Sequence, residues 1–422
     1  MSDQASRRDF FRQSGWMTIA TMLGGAFNMA SFFVAQRMTG GEFNIFDTAL
    51  SALGILAIPS LGMQASFAAL AAGADTPDRG RELSAAMRGA LGLLGVFWLL
   101  QAGWWLLRHE QIMAAYQLTQ PAMLWLLLFI CLAAMLTPVP SGVLQGRQNF
   151  LWFGWATLLN GAGRFAVLFV VVKGLGWGAL GGLAGVLAGS VIVLLVVFWH
   201  TRDVLTGQAG RFDWRGWLRR LLPVTVGLGA LTFIMQADAL VVREKLQPLL
   251  TADEINGYSA VRKIAQAMIF VVGALTSVMF PKLSRSFQRS EQTDVLKLTI
   301  ALTAAIGVGG AAMATVFPEL PLRLLSPSAL LGSKALVPLY CWALLPMALA
   351  SVLVWSLLAR ECYRAVPWMA ALAFGYWMAL QKFHDRLTTV IGVVGVFGVL
   401  LLAVCAVFVW LESRKRAGSG KV

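Results

Sequence analysis

Four charged side chains interrupt long apolar stretches of the sequence and are the first candidates for chemistry. Arg164 lies within "NGAGRFAVLF", Asp238 within "IMQADALVV", and Arg262 with Lys263 within "SAVRKIAQAM". A charge buried in hydrocarbon costs several kcal/mol unless it meets water, a partner or a ligand, so each of the four marks a candidate site. Arginine suits phosphate, because its planar fork forms paired hydrogen bonds to phosphate oxygens. The pattern therefore indicates anion binding, and it predicts no catalytic residue.

The first group of candidates surrounds Arg164. Asn160 and Thr157 precede it by four and seven residues. Residues at these spacings lie on one face of a helix. We therefore expect a polar stripe that forms the wall of a cavity, with Arg164 and Asn160 as substrate-binding residues.

The second group surrounds Arg262, which shares a helical face with Ser259 and Gln266. Lys263 lies about 100° further round the same helix and is expected to face elsewhere, so Arg262 ranks above it. We take Arg262, Ser259, Gln266 and Lys263 as further substrate-binding candidates, and a cavity-facing arginine can be truncated without loss of assembly. The competing interpretation is that Arg262 and Lys263 snorkel towards the membrane interface.

Asp238 is the one acid that the pattern places well inside a span. It either binds Na⁺ or H⁺ and couples an ion gradient to movement, or it pairs with a nearby arginine and holds a gate closed. We prefer the second interpretation. No metal site or cofactor is expected, because the four cysteines lack the spacing of metal ligands.

Membrane-spanning helices must position these residues. Hydrophobic residues make up 58% of the 422 residues and charged residues 13%, with a mean hydropathy of +0.72, too apolar for a soluble core of this size. Counting runs of roughly 20 apolar residues predicts about 12 spans with short loops, which excludes a soluble enzyme. The expected starts are Gly15, Asn44, Ser84, Pro121, Leu151, Trp177, Leu218, Ile255, Leu296, Ala335, Ala365 and Thr388.

The distribution of Lys and Arg predicts the orientation. They are concentrated in the termini and the even-numbered loops, so both termini are expected in the cytoplasm, with the protein in the cytoplasmic membrane. The net charge of +14 is spread over several loops, which does not favour nucleic-acid binding. The stretch "SRRDFFRQSG" is also similar to a twin-arginine export signal, but no A-x-A cleavage site follows it, which favours a positive-inside anchor.

Two short stretches repeat each other across the chain. "TGGEFNIF" begins at Thr39 and "TADEINGY" at Thr251, and each places Glu three residues after Thr. This is the capping-box pattern of a helix N-terminus. Six spans separate the copies, so both helices run the same way and the halves form a parallel repeat of two six-helix lobes. The predicted segments are an N-terminal segment 1–14, lobes 15–200 and 218–411, a basic loop 201–217 and a basic tail 412–422.

A family resemblance follows from these motifs. "MTGGEFNIFDTALSALGILAIPSLGM" from Met38 and the stretch from Ala237 that ends in "VMFPKLSRSF" resemble the multidrug/oligosaccharidyl-lipid/polysaccharide exporter superfamily, above all its O-antigen-type flippases. The segment from Asn160 is similar as well, with an Arg in span five and a Gly-rich start to span six. The resemblance covers most of the first ten spans.

The resemblance implies a transporter rather than an enzyme. It implies that a lipid-linked oligosaccharide or polysaccharide is flipped or exported by alternating access. The implied partners are membrane lipid, an anionic sugar substrate and polysaccharide-synthesis machinery. Two alternatives remain open, a cation-coupled drug exporter of the same superfamily and a major-facilitator-type transporter. A non-transporting membrane scaffold is disfavoured by the embedded arginines.

Overall fold

The structure is a computed structural model that describes residues 3–38, 41–115, 118, 120–267, 292–325, 331–360 and 362–419. Within these ranges the chain is mainly helical and contains no β-strand. A helix satisfies all its interior backbone hydrogen bonds within one segment, which a lipid environment requires. The all-helical fold class is confirmed.

The chain divides into two compact units. The first comprises Met1–Met38 and Leu56–Thr225, and the second comprises Thr39–Ile55 and Val226–Val422. The split at 225/226 lies within a helix rather than in the predicted loop 201–217. The sequence also did not indicate that 39–55 belongs with the second half of the chain.

The first unit contains nine helices in the described residues: α1 Asp3–Ala35, α3 Met63–Ala72, α4 Pro77–Leu107, α5 His109–Ala115, α6 Pro121–Leu136, α7 Pro138–Gly146, α8 Phe150–Leu168, α9 Gly178–Thr206 and the first part of α10 Trp214–Val241. A wider π-helical turn, Phe169–Gly174, extends α8. The loop between α9 and α10 covers only 207–213, shorter than predicted.

The second unit takes helix α2 from the first half of the sequence. Its helices are α2 Glu42–Leu56, the remainder of α10, α11 over 252–267, α12 Gln292–Val316, α13 Glu319–Leu325, α14 Leu336–Ala359, α15 Val366–Lys382 and α16 Leu387–Ser419. A single turn, Ile58–Ser60, separates α2 from α3, and Pro59 lies in it. A proline there removes a backbone donor and interrupts the helix.

The expected spans coincide with these helices. Every predicted span start lies on a helix or immediately before one. In the described residues, eight helices are long and apolar enough to cross a bilayer, and α2 with α3 adds a ninth if the broken pair counts as one span. The chain is a multi-pass membrane protein, and the count of about twelve spans stays a prediction.

The capping box of the second repeat is confirmed at the start of α11. Oγ1 of Thr251 accepts a hydrogen bond from the backbone N–H of Glu254 at 3.3 Å, and Oε2 of Glu254 accepts one from the backbone N–H of Thr251 at 2.9 Å. Two orphan donors of the first turn are thereby satisfied. The first copy begins at Thr39, which lies outside the described residues.

Glycines let α1 and α8 approach closely in the first unit. A Cβ placed on Gly24 would lie 2.7 Å from the backbone oxygen of Thr157, and one placed on Gly161 would collide with the backbone of Gly24. Rings close the same seam at Phe27 and Phe165, whose centroids lie 5.8 Å apart. Small residues at such crossings hold membrane helices together through close packing.

Gly24 and its neighbour Gly25 offer a matched test of this seam. Gly24→Ala should lower the melting temperature and the yield of folded protein, because overpacking against a fixed backbone costs about 1–3 kcal/mol. Gly25→Ala should be neutral or slightly stabilising, since no atom lies within 4 Å of the added Cβ. Thermal unfolding and size-exclusion profiles of the detergent-purified variants measure both. Equal behaviour of the two variants would contradict the packing account.

Candidate functional site

A buried ionic cluster in the second unit brings together four charged side chains from three helices. Asp47 comes from α2, Asp238 from α10, and Arg262 with Lys263 from α11. Asp47 and Arg262 are 0% exposed, Asp238 1% and Lys263 9%. In the described residues Asp47 and Asp238 are the two acids that are fully buried. Two negative and two positive charges face each other, so the cluster is electrically neutral.

Arg262 is the centre of this cluster. Its Nε lies 3.3 and 3.1 Å from the two carboxylate oxygens of Asp238, and its Nη1 lies 3.2 and 3.0 Å from those of Asp47. Nη2 donates to the backbone oxygen of Met235 at 3.1 Å and to Oε1 of Gln236 at 2.6 Å. A guanidinium has five N–H donors on three nitrogens, and each of the three nitrogens has an acceptor here.

This geometry corrects the expectation that Arg262 faces an open cavity. Helical periodicity predicted the face on which Arg262 lies but not the two acids that occupy it. A fully buried guanidinium that is bonded through all three nitrogens does not present its fork to a phosphate in this conformation. Removing it would leave Asp47 and Asp238 in low dielectric with only Lys263 as a countercharge.

Asp238 is held by three side chains. Besides Arg262, the hydroxyls of Tyr258 and Tyr340 donate to its Oδ2 at 2.7 and 2.6 Å. The two tyrosine rings pack edge to face with centroids 5.8 Å apart. Tyr340 lies on α14, so Asp238 links three helices of the second unit. The expected pairing of Asp238 with an arginine is found.

Lys263 joins the same cluster, which corrects the expectation that it faces elsewhere. Its Nζ lies 2.6 Å from Oδ1 of Asp47 and donates to Oε1 of Gln266 at 3.3 Å. Gln266 in turn donates to the oxygen of Met235 at 3.2 Å. The lysine side chain is long and flexible enough to reach Asp47 from its different angular position on α11. Helical periodicity gives only the direction of the Cβ atom, so it does not show where the Lys263 ammonium lies.

The two repeated stretches contact each other directly. The backbone N–H of Asn44 donates to Oδ1 of Asn256 at 3.1 Å, and these residues are 212 positions apart, the offset of the repeat. The Asn44 side chain donates to Oγ of Ser259 at 2.8 Å and accepts from Nη1 of Arg243 at 3.0 Å. Ser259 is therefore used in pairing α11 with α2.

Arg164 and Asn160 belong to the first unit, whereas the cluster belongs to the second. Nη1 of Arg164 is 3.5 Å from Oδ1 of Asn28 on α1, and its guanidinium carbon lies 5.1 Å from the ring centroid of Phe32. Asn160 lies one turn earlier, where α8 packs against Gly189 of α9. Both side chains are partly buried. Their expected role in substrate binding stays a prediction.

Sequence reasoning missed Asp47, the partner of both basic residues on α11. One signal was present, because Asp47 is the only acid between Phe43 and Ala74. Gln236 and Tyr340 were missed as well, because they are uncharged and no spacing motif links them to the embedded charges. In the described residues no group of three His, Cys, Asp or Glu side chains could hold a metal ion.

The fold of the chain as a whole is that of solved transporters. An inward-facing conformation of a multidrug resistance MATE family transporter of the MOP superfamily matches with a TM-score of 0.70 and 12% identity, over 97% of this chain and 99% of that one. An outward-facing conformation of such a transporter matches with a TM-score of 0.66 and 14% identity, over 98% and 96%. A MATE structure in the straight conformation matches with a TM-score of 0.64 and 12% identity, over 97% of this chain and 96% of that one.

These similarities define the fold as MATE-like. No protein-family model and no curated protein matches the sequence.

The central role of Arg262 can be tested by a double-mutant cycle. Arg262→Ala should lower the free energy of unfolding by about 3–5 kcal/mol, because it leaves a buried carboxylate uncompensated. Adding Asp238→Asn should restore part of the loss, since it removes the stranded charge. Arg219→Ala, an exposed arginine at the start of α10, is the control. Denaturant unfolding and folded yield are the measurements, and a stable Arg262→Ala protein without coupling to Asp238 would contradict the cluster.

Proposed function

We propose that the protein is an alternating-access transporter of the cytoplasmic membrane. The observation that carries this proposal is the match of one chain, over 97% and 98% of its length, to both an inward-facing and an outward-facing transporter structure. Two compact units of similar helical content are what such a mechanism needs. No enzymatic step is proposed.

We propose an anionic cargo, a lipid-linked oligosaccharide or polysaccharide precursor. The membrane-spanning stretches of the first unit carry Arg164 but no carboxylate, since no Asp or Glu occurs at 10–41, 48–74, 83–109 or 111–202. A basic side chain beside the amide of Asn28 suits a phosphate better than a cation. Arg164 and Asn160 are the first contacts for the diphosphate of such a lipid.

A drug exporter is the second candidate, because the similar structures are described as multidrug resistance transporters. Export of organic cations coupled to a cation requires a membrane carboxylate that a cation can reach. The two fully buried acids of the described residues, Asp47 and Asp238, are both bonded to basic side chains. This favours the anionic cargo.

The ionic cluster has a gating role in this proposal. Asp47 lies on the segment Thr39–Ile55, which belongs to the second unit although the chain before and after it belongs to the first. The bonds from Asp47 to Arg262 and Lys263 therefore hold a segment that is tethered at both ends to the other unit. A rearrangement of α2 against α11 that keeps both acids paired with Arg262 would release this segment and expose Lys263, Ser259 and Gln266 for contact with cargo. Two tyrosines hold Asp238 in place, and Asp238 in turn holds Arg262 in the position from which the cluster can form again.

Reconstituted transport tests the cargo assignment. Purified protein in liposomes should move a fluorescent polyprenyl-diphosphate oligosaccharide between leaflets. Arg164→Glu should abolish this movement by repelling the diphosphate, whereas Arg164→Lys should retain part of it, because an ammonium keeps the charge but loses the bidentate geometry. Arg219→Glu is the matched control at an exposed position. Parental rates for Arg164→Glu, together with extrusion of an organic cation dye, would support the drug exporter instead.

Reporter fusions test the proposed orientation. Fusions after Arg108, Lys173 and Leu250 should report an extracytoplasmic location, and fusions after Arg79 and Gln208 a cytoplasmic one, because the basic loops resist translocation. A cytoplasmic signal at Leu250 would break the even number of spans between the two capping boxes. It would thereby contradict the parallel repeat.

A further inference from the structure

Each oxygen of the two buried carboxylates faces at least one donor from the chain itself. We propose that Arg262, assisted by Lys263, is a built-in counter-cation, so that Asp47 and Asp238 take up neither Na⁺ nor H⁺ during transport. The inference rests on the proposed transport function for its physiological meaning. The site itself can be tested without any transported cargo.

The coordination of Asp238 leaves little room for an ion. Its Oδ2 accepts from Arg262, Tyr258 and Tyr340 at 3.1, 2.7 and 2.6 Å, and its Oδ1 lies 3.3 Å from Nε of Arg262. A sodium ion binds through oxygen lone pairs, and those of Oδ2 already receive three donors. A proton on Oδ2 would displace at least one of them.

Asp47 is occupied in the same way. Its Oδ1 receives Nζ of Lys263 at 2.6 Å and Nη1 of Arg262 at 3.2 Å, and its Oδ2 receives Nη1 at 3.0 Å. The amide oxygens of Gln266 and Gln236, which could otherwise complete a cation site, accept from Lys263 and Arg262. The guanidinium and the ammonium therefore stand where an exchangeable cation would have to bind.

The surrounding groups do not supply a replacement charge. The groups that face the cluster are Asp47 on α2, Asp238 on α10, Arg262, Lys263 and Tyr258 on α11, Tyr340 on α14, and the fully buried Tyr376 on α15, which is within electrostatic reach of Asp238. Tyr258 and Tyr340 are neutral donors, so the two acids and two bases balance. Arg243, 2% exposed and bonded to Asn44, adds a further positive charge beside the paired helices rather than a vacancy for a cation. Adding H⁺ or Na⁺ would create a net charge in low dielectric, which is unfavourable.

A consequence follows for the driving force. If the embedded acids carry no cation, the charge that crosses the membrane is that of the cargo. The electrostatic energy of an anionic headgroup falls when it moves from the negative inside to the positive outside. Membrane potential, rather than a sodium or proton gradient, should then drive transport.

The first experiment uses cation binding and needs no cargo. The melting temperature of the parental protein should be the same in sodium chloride as in N-methylglucamine chloride at equal ionic strength. Arg262→Ala, which empties the guanidinium position, should melt at a higher temperature with sub-denaturing guanidinium chloride than with tetramethylammonium chloride. Arg262→Ala/Asp238→Asn and the control Arg219→Ala should show no such difference. Absence of a guanidinium effect in folded Arg262→Ala would overturn the counter-cation assignment.

A second measurement covers the case in which Arg262→Ala does not fold. Radioactive sodium should not bind stoichiometrically to the parental protein, and binding that is lost in Asp238→Asn would overturn the proposal.

In liposomes, a potential imposed without sodium or pH gradients should be sufficient for flipping of the polyprenyl-diphosphate probe. Flipping that requires a sodium or proton gradient refutes the counter-cation inference alone. No flipping under any gradient, with sodium binding still absent, refutes the proposed cargo and leaves the counter-cation assignment supported.

Discussion

The second unit depends on one electrostatic constraint, that two carboxylates and two basic side chains buried among membrane helices must neutralise each other. Arg262 meets this constraint by distributing its donors over Asp47, Asp238, a backbone carbonyl and an amide. In low dielectric the pairing is worth far more than at a surface, and the cost of leaving one member alone is correspondingly high. The relative positions of α2, α10 and α11 are therefore fixed by charge as well as by packing.

The internal repeat explains how these charges come together. The two similar stretches contact each other at equivalent residues, Asn44 and Asn256. Helices α2 and α11 therefore pair through corresponding positions of the two repeats. The copies then diverge in chemistry. Position 47 carries an acid where the second copy has Ser259, and position 262 carries a base where the first copy has Leu50. Divergence of a symmetric pair has produced an asymmetric ion pair.

Charge is divided unequally between the two units. The first unit holds Arg164 in spans without carboxylates, whereas the buried charges of the cluster in the second unit cancel. A fold shared with solved MATE transporters therefore carries a basic side chain in the spans of one unit and a neutral cluster in the other. Fold does not determine cargo, and the polar residues of each unit set that choice. The segment Thr39–Ile55 belongs to the second unit, although the chain on either side of it belongs to the first. The ion pairs of Asp47 therefore act on a segment that is covalently joined to the first unit at both ends.

Much of this organisation was evident in the sequence, because hydropathy and helix-start chemistry are local properties. Long apolar runs predicted membrane helices, the Thr251–Glu254 spacing predicted the cap of α11, and the embedded Asp238 predicted an arginine partner. The tertiary structure alone decided which arginine that was, that Lys263 turns to Asp47, and that Thr39–Ile55 joins the second unit. Asp47 and Arg262 are 215 residues apart. Helical periodicity assigns a side chain to a face, but the partner on that face depends on the packing of distant helices, which no local pattern encodes.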